Sequence, residues 1–204
     1  MMPMLRCCAL VCGGVATLAG CASAPVPDLT YYRMPARVET APITATAPRF
    51  ALPIIVDALV ADGVYNDLSM LYANQPEGSI RAYHYQLWEN SPGLLLQRRL
   101  IQFLRARNAA ALVTDRLPPS LDSRRIFGRV DSFERVHAAT GWSARVRLEL
   151  RVEQGARMPP LLVNDYAATV AADGDGMRAS VRAFAAAIDQ VFDAFWVDLG
   201  ELPP

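Results

Sequence analysis

The chain has 204 residues, and its 20 basic side chains, all arginine, balance 20 acidic ones to a formal net charge of zero. A nucleic-acid binder carries a basic excess, so composition argues against that class. The four cysteines all fall in the first 21 residues, and the sequence contains two histidines; this leaves no disulfide framework and no metal-spaced Cys/His set for the remainder of the chain.

The N-terminus opens with one basic residue, Arg6, followed by a short apolar run that ends in Leu18-Ala19-Gly20-Cys21. The run is too short to span a bilayer, which takes about 20 apolar residues. A basic residue, an apolar stretch and small residues at its end describe a secretory signal over residues 1–20. Leu-Ala-Gly-Cys also resembles a bacterial lipobox. That resemblance implies cleavage between Gly20 and Cys21 and a covalent lipid on Cys21, which becomes the new N-terminus. Cys7 and Cys8 lie too early for an apolar core to precede them, and Cys12 follows the large Val11. An ordinary signal peptide or a buried N-terminal helix is the alternative. After cleavage Cys21 is the one cysteine left, so the mature chain has no disulfide and depends on its core.

Residues 22–49 hold Pro25, Pro27, Pro35, Pro42 and Pro48 among Ala and Thr, which predicts a flexible tether between lipid and domain. Counted in full, its 28 residues would reach roughly 90–100 Å. One island, Leu29 to Met34, has strand propensity and suits a sheet edge, where nearby prolines are tolerated.

The folded domain is predicted over residues 50–204. Leu52 to Val60 is an apolar, β-branched run and reads as one buried or half-buried strand. Leu68 to Tyr72 and Ile80 to Trp88 read as two further strands around a turn at Asn74 to Gly78. A helix starts near Ser91-Pro92. Its apolar stripe is Leu96, Leu100, Phe103 and Leu104, with Arg98, Arg99, Arg105 and Arg107 mostly elsewhere. A strand over Ala110 to Thr114 precedes the loop at Pro118-Pro119. Then come Arg125 to Val136, Trp142 to Glu153 and Leu161 to Ala171. In the second of these, Trp142, Ala144, Val146, Leu148, Leu150 and Val152 alternate with Ser143, Arg145, Arg147, Glu149, Arg151 and Glu153, as in an antiparallel strand with one wet face. A last helix runs from about Met177 to Val197, with a stripe of Val181, Phe184, Ala185, Ile188, Val191, Phe192, Phe195 and Leu199. The fold class expected is α+β: a mostly antiparallel sheet with two helices on one face, preceded by a signal peptide and a tether.

A catalytic constellation is not evident. Neither His84 nor His137 has a candidate nucleophile at a telling spacing, and no Gly-x-Ser-x-Gly elbow or phosphate loop occurs. Asp173-Gly174-Asp175-Gly176 faintly resembles a calcium loop, but the position that needs Glu holds Phe184; a strand exit and helix cap account for it. Tyr83, Tyr85 and Trp88 form a candidate partner surface, because Tyr and Trp are enriched at interface hot spots; a sheet face packed under a helix is the competing reading. Trp196 lies off the last helix's stripe and is a further candidate for contact with a neighbour. Arg145, Arg147 and Arg151 suit anionic headgroups or, with Glu149 and Glu153 interleaved, a solvated mixed-charge face.

The pieces in order are the lipobox, Tyr31-Tyr32-Arg33-Met34, then Tyr83-His84-Tyr85-Gln86-Leu87-Trp88-Glu89 leading into the first helix. Val130-Asp131-Ser132-Phe133-Glu134 follows in a strand, then two strands and a final helix. Together they resemble the ABC-type transport auxiliary lipoproteins. That group includes the outer-membrane lipoprotein of the paraquat-inducible intermembrane transport system. Relatives often carry Arg-Pro before the third strand, where this chain has Val64-Tyr65-Asn66-Asp67-Leu68. The resemblance implies a non-enzymatic accessory subunit without cofactor other than the lipid on Cys21. It implies an outer-membrane anchor facing the periplasm, with Ala22 after the cysteine rather than a retaining Asp. Its implied partners are an MCE-domain periplasmic protein and, more remotely, an ABC permease and ATPase, with self-association into a homo-oligomer. The alternative is a structural envelope lipoprotein that acts in outer-membrane assembly or integrity without handling lipid.

Overall fold

The computed structural model describes residues 26–36, 47–118, 121–155 and 159–204. The signal segment, its cut point at Gly20 and Cys21 itself lie outside the described residues.

One nine-stranded sheet and two helices make the domain. The strands are β1 (Thr30–Tyr32), β2 (Ile54–Val56), β3 (Val60–Ala61), β4 (Ser69–Ala73), β5 (Ile80–Trp88), β6 (Val113–Thr114), β7 (Arg124–Ala138), β8 (Gly141–Gln154) and β9 (Leu162–Ala171); the helices are α1 (Pro92–Ala106) and α2 (Met177–Gly200). The long strand β7 is the spine. Along one edge it pairs antiparallel with β8, which pairs antiparallel with β9. Along the other edge β2, β3 and β4 follow one another, each parallel to β7. The hairpin β4–β5 is antiparallel, and β1 adds to β5 in parallel at the sheet edge.

The sheet is therefore mixed, not mostly antiparallel. The parallel pairs lie in strands of two to five residues, whose apolar runs say which residues are buried but not which way the neighbour runs. Leu52 to Val60 is also not one strand. It breaks between β2 and β3, where Asp57 turns out to meet Arg125 (Oδ1 to Nη2, 2.7 Å) and Leu59 turns into the core. Two glycines make room for Leu59. A Cβ on Gly93, in the first turn of α1, would stand 2.2 Å from the Leu59 carbonyl oxygen. One on Gly128 of β7 would stand 2.6 Å from Leu59 Cγ.

The alternation in β8 is as its sequence predicts: Ala144, Val146, Leu148, Leu150 and Val152 are all buried. β7 bulges between Val130 and Ser132. The extra residue shifts the inward register from Ile126 and Val130 to Phe133 and Arg135. Both predicted helical stripes are buried in full. The helices join the same core as the inner sheet face, with Phe103 of α1 5.5 Å from Phe192 of α2. Between them Arg99, 7% exposed, makes a two-pronged bond to Asp189 (both contacts 2.9 Å). Of the four arginines expected mostly off the apolar stripe, Arg99 is the one buried within it.

The island in the proline-rich run is β1. Tyr32 donates its hydroxyl to Gln86 Oε1 (2.6 Å), the Glu89 amide donates to the Tyr32 carbonyl (3.0 Å), and Arg99 Nη1 donates to the Pro35 carbonyl (2.6 Å). Residues 30–35 are thus part of the folded body, which the count of a 28-residue tether did not allow for.

Candidate functional site

β5 carries three of the four aromatic residues singled out from the sequence, and the structure separates them. Trp88 is not on a surface. It is 1% exposed, packed 5.4 Å from Phe133 and 5.2 Å from Phe184. The reason is its position: β5 is covered at this end by β1 and α2, so the last residue of the strand turns into the core. Trp88 is therefore withdrawn from the partner surface. Tyr83 is half-buried and committed to a neighbour, Arg135 of β7, whose Nη1 donates to its hydroxyl (2.7 Å). Tyr85 is half-buried, with the exposed His84 ring edge-on at 6.4 Å. Trp196 is half-buried near the C-terminal end of α2, beside the Arg107 guanidinium at 5.9 Å. It lies some 19 residues along α2 from Met177, about 29 Å. The four residues therefore do not make one patch.

What gathers around Tyr83 is an aromatic box for a buried cation. Arg135 is 3% exposed; its guanidinium stands 4.0 Å from the Trp142 ring centre, and its Nη2 donates to the Asp175 carbonyl just before α2 (2.9 Å). Tyr72 closes the box 4.5 Å from Tyr83. Burial pulls the Arg135 pKa down, while Tyr83 and Asp175 oppose the shift. Burial likewise raises that of Tyr83, against the pull of Arg135. The arrangement ties the sheet to the start of α2 through cation–π contact and neutral acceptors. The turn feeding α2 uses Gly174 at φ +104°, and the helix begins after Gly176. Phe184, where a calcium loop would need Glu, is core.

The outer face of β8 is a set of ion pairs. Arg145 reaches Glu134 (3.5 Å), Arg147 reaches Asp165 (3.2 Å) and Asp131 (3.8 Å), and Arg151 meets Glu153. Such exposed pairs contribute little energy each, and they describe a solvated face. One of these acids is unusual: Glu134 is buried and accepts the Tyr65 hydroxyl (3.0 Å). Burial raises its pKa, against Tyr65 and Arg145, and the Tyr65 hydroxyl is pushed up to about 12 by burial and by Glu134. Tyr65 belongs to the short 3-10 helix Gly63–Asn66.

At the opposite end of β7 an open cleft of about 770 Å³ lies between the loop after β6 and the β7–β8 pair. Charged Asp115, Arg116, Asp122, Arg125 and Glu153 line it together with Leu52, Ile55 and Phe127. Its walls combine the loop after β6 with residues of β2, β7 and β8, and no local sequence pattern joins them. Arg99, Arg135 and Glu134 were missed as well. A helical wheel places Arg99 beside Leu96 and Phe103 at i−3 and i+4, and that was the available signal. His84 and His137 are both exposed, and among the described residues no three His, Cys, Asp or Glu gather as metal ligands. No described helix is long and apolar enough to cross a membrane.

Comparison with known proteins agrees with the architecture. A crystal structure of a Xanthomonas campestris protein of family DUF330 superposes with a TM-score of 0.69 at 16% identity, covering 84% of this chain and 96% of that one. A second, uncharacterised protein gives 0.67 at 12% identity, covering 85% and 99%. At these identities the likeness shows the fold alone. A search of curated proteins gave no match. The family model described as the ABC-type transport auxiliary lipoprotein component matches residues 35–194, from just after β1 to the last turns of α2. The chain is a member of the ABC-type transport auxiliary lipoprotein family.

Proposed function

We propose that this protein is a non-enzymatic accessory lipoprotein of an ABC/MCE-type intermembrane lipid transport system, held at the outer membrane by lipid on Cys21 and docking the periplasmic component there. The observation that carries the reading is the family match over residues 35–194, which spans nearly the whole folded domain. The lipobox-like Leu18-Ala19-Gly20-Cys21, followed by Ala22, supports the anchor and its outer-membrane address. Docking rather than carrying fits the character of the described cleft. A lipid carrier needs a sizeable apolar pocket, and the cleft at the end of β7 is open and ringed by charge. Tyr85 and Trp196, both half-exposed, keep ring surface for a partner.

The test is a crosslinked pull-down from envelopes with the lipidated protein as bait, read beside the gene neighbourhood. Recovery of an MCE-domain protein, with permease and ATPase genes adjacent, is the expected result. No MCE protein and a lone locus would put the structural envelope role ahead. Cys21→Ser should release the protein from the membrane fraction, since stable anchoring takes two or more acyl chains; a variant as tightly bound as wild type would refute the anchor.

A further inference from the structure

From the parallel addition of β1 to β5 we infer which end of the domain rests on the bilayer: the end formed by the β4–β5, β7–β8 and β9–α2 turns, with the exposed apolar residues Val26, Leu29 and Ile80 on the way to it. The inference rests on the proposed lipid anchor at Cys21. Its first element is reach. Thr30 is locked opposite Gln86, and the bonds at Tyr32 and Pro35 fix the chain beyond it. The prolines after residue 35 therefore add nothing to the leash. Only the stretch from Cys21 to Thr30 counts, nine residues or at most about 30 Å.

The second element is direction. β1 runs with β5, from the level of Gln86 to that of Trp88. The chain therefore enters from the side of Ile80. From Gln86 back to Ile80 is six residues, about 20 Å of strand. An extended leash running that way passes Ile80 with roughly 10 Å left. The same end collects the turns after β4, where Ala73 pairs with both Ile80 and Val136, and after β7, where Ala138 pairs with Gly141. β9 also finishes there, with Ala171 opposite Ser143. The charged cleft, lined by Arg125 and Gln154, is at the other end and points away from the bilayer.

The third element is surface chemistry. Val26 and Leu29 lie on the leash itself, just before its junction with the sheet, and both are exposed; Ile80 is 41% exposed at the tip. Single exposed apolar residues need no explanation, but these three lie on the leash and at the tip that it runs toward. The charges nearby are mixed, with exposed Asp28, Glu77 and Arg81 and with Arg33 paired to Glu89. The contact is thus apolar and needs no anionic headgroup.

The test uses the full mature lipidated protein in phosphatidylcholine vesicles that contain nitroxide-labelled lipid. With Cys21 acylated, an introduced cysteine is the one free thiol. A fluorophore is placed by Ile80→Cys or by Val163→Cys, which is comparably exposed at 52% but pairs with Arg151 toward the cleft end. Quenching several-fold stronger at 80 than at 163 is expected. Equal quenching, or stronger quenching at 163, with the N-terminal peptide shown acylated by mass spectrometry, overturns the orientation and leaves the anchor standing. An unacylated Cys21 overturns the anchor, and the orientation falls with it.

Discussion

Replacing Trp88 separates a core role from a partner-binding one. Its side chain is 1% exposed and touches the rings of Phe133 and Phe184, which themselves stack at 4.7 Å. An aromatic side chain of this kind removes about 150–250 Å² from water, and at about 25 cal/mol per Å² that is roughly 4–6 kcal/mol as an upper bound. Truncation to alanine leaves a cavity in the middle of the ring cluster, and measured Trp→Ala and Phe→Ala core changes cost about 3–5 kcal/mol. Trp88→Ala should therefore lower stability by that amount. With a urea m-value of about 2 kcal/mol/M, the midpoint should fall by roughly 2 M. Urea unfolding followed by far-ultraviolet circular dichroism is the assay, since the substitution removes one of the fluorophores. Trp88→Phe should recover more than half of the loss. An unchanged midpoint for Trp88→Ala, with weaker partner capture, would refute the packing argument and return Trp88 to the surface.

Further outcomes follow from the same geometry. Gly93→Ala should destabilise more than Gly128→Ala in the same urea assay, although alanine favours a helix over glycine by about 1 kcal/mol. The first meets the Leu59 backbone carbonyl and the second meets side chains that can shift; the reverse order would mean that the α1 contact with Leu59 yields easily. Glu134 has a raised folded-state pKa, so the native state holds its proton more tightly than the unfolded chain does. Its contribution is fully present below its ordinary value near 4.5 and is lost as pH rises through the raised one. Melting temperatures between that value and neutrality should fall less steeply for Glu134→Gln than for wild type, and parallel slopes would show that burial does not govern this group. Hydrogen exchange should show slow amides in β7, β8 and α2, and fast exchange through Val181 to Phe195 would exclude α2 as a core element.

Periodicity made the elements of the second half legible, because β8 shows one wet face and α2 carries a full apolar stripe. β7 through α2 accordingly match their predicted spans to within a few residues. The first half was harder for a physical reason. β2, β3 and β4 are short and gain their partners from β7, more than 60 residues later in the chain. A period of two tells which face is buried but carries no strand direction, so the parallel pairings were out of reach. The break at Asp57 to Leu59 depends on Gly93 and Gly128, distant residues whose role appears only when the backbones approach. The candidate site suffered similarly. Tyr83 and Trp88 look alike in sequence, yet one cradles Arg135 and the other fills the core. Arg135 faces inward because of the bulge at Asp131, and Glu134 is covered on the other face by Tyr65, which no local residue pattern announces.

The position of β7 also sets the order in which the chain can fold. Strands β7, β8 and β9 and helix α2 are consecutive and pair with their sequence neighbours, so they form a unit of short loops that closes quickly. The first half has the β4–β5 hairpin, the edge strand β1 on β5 and the short β2–β6 pair, but these pieces join into one sheet only when residues 124–138 exist, and β3 has no other partner. During synthesis from the N-terminus, more than half of the chain therefore stays open while the ribosome works. The topology thus makes closure of the native sheet a late event, set by the arrival of β7 rather than by the strands that precede it.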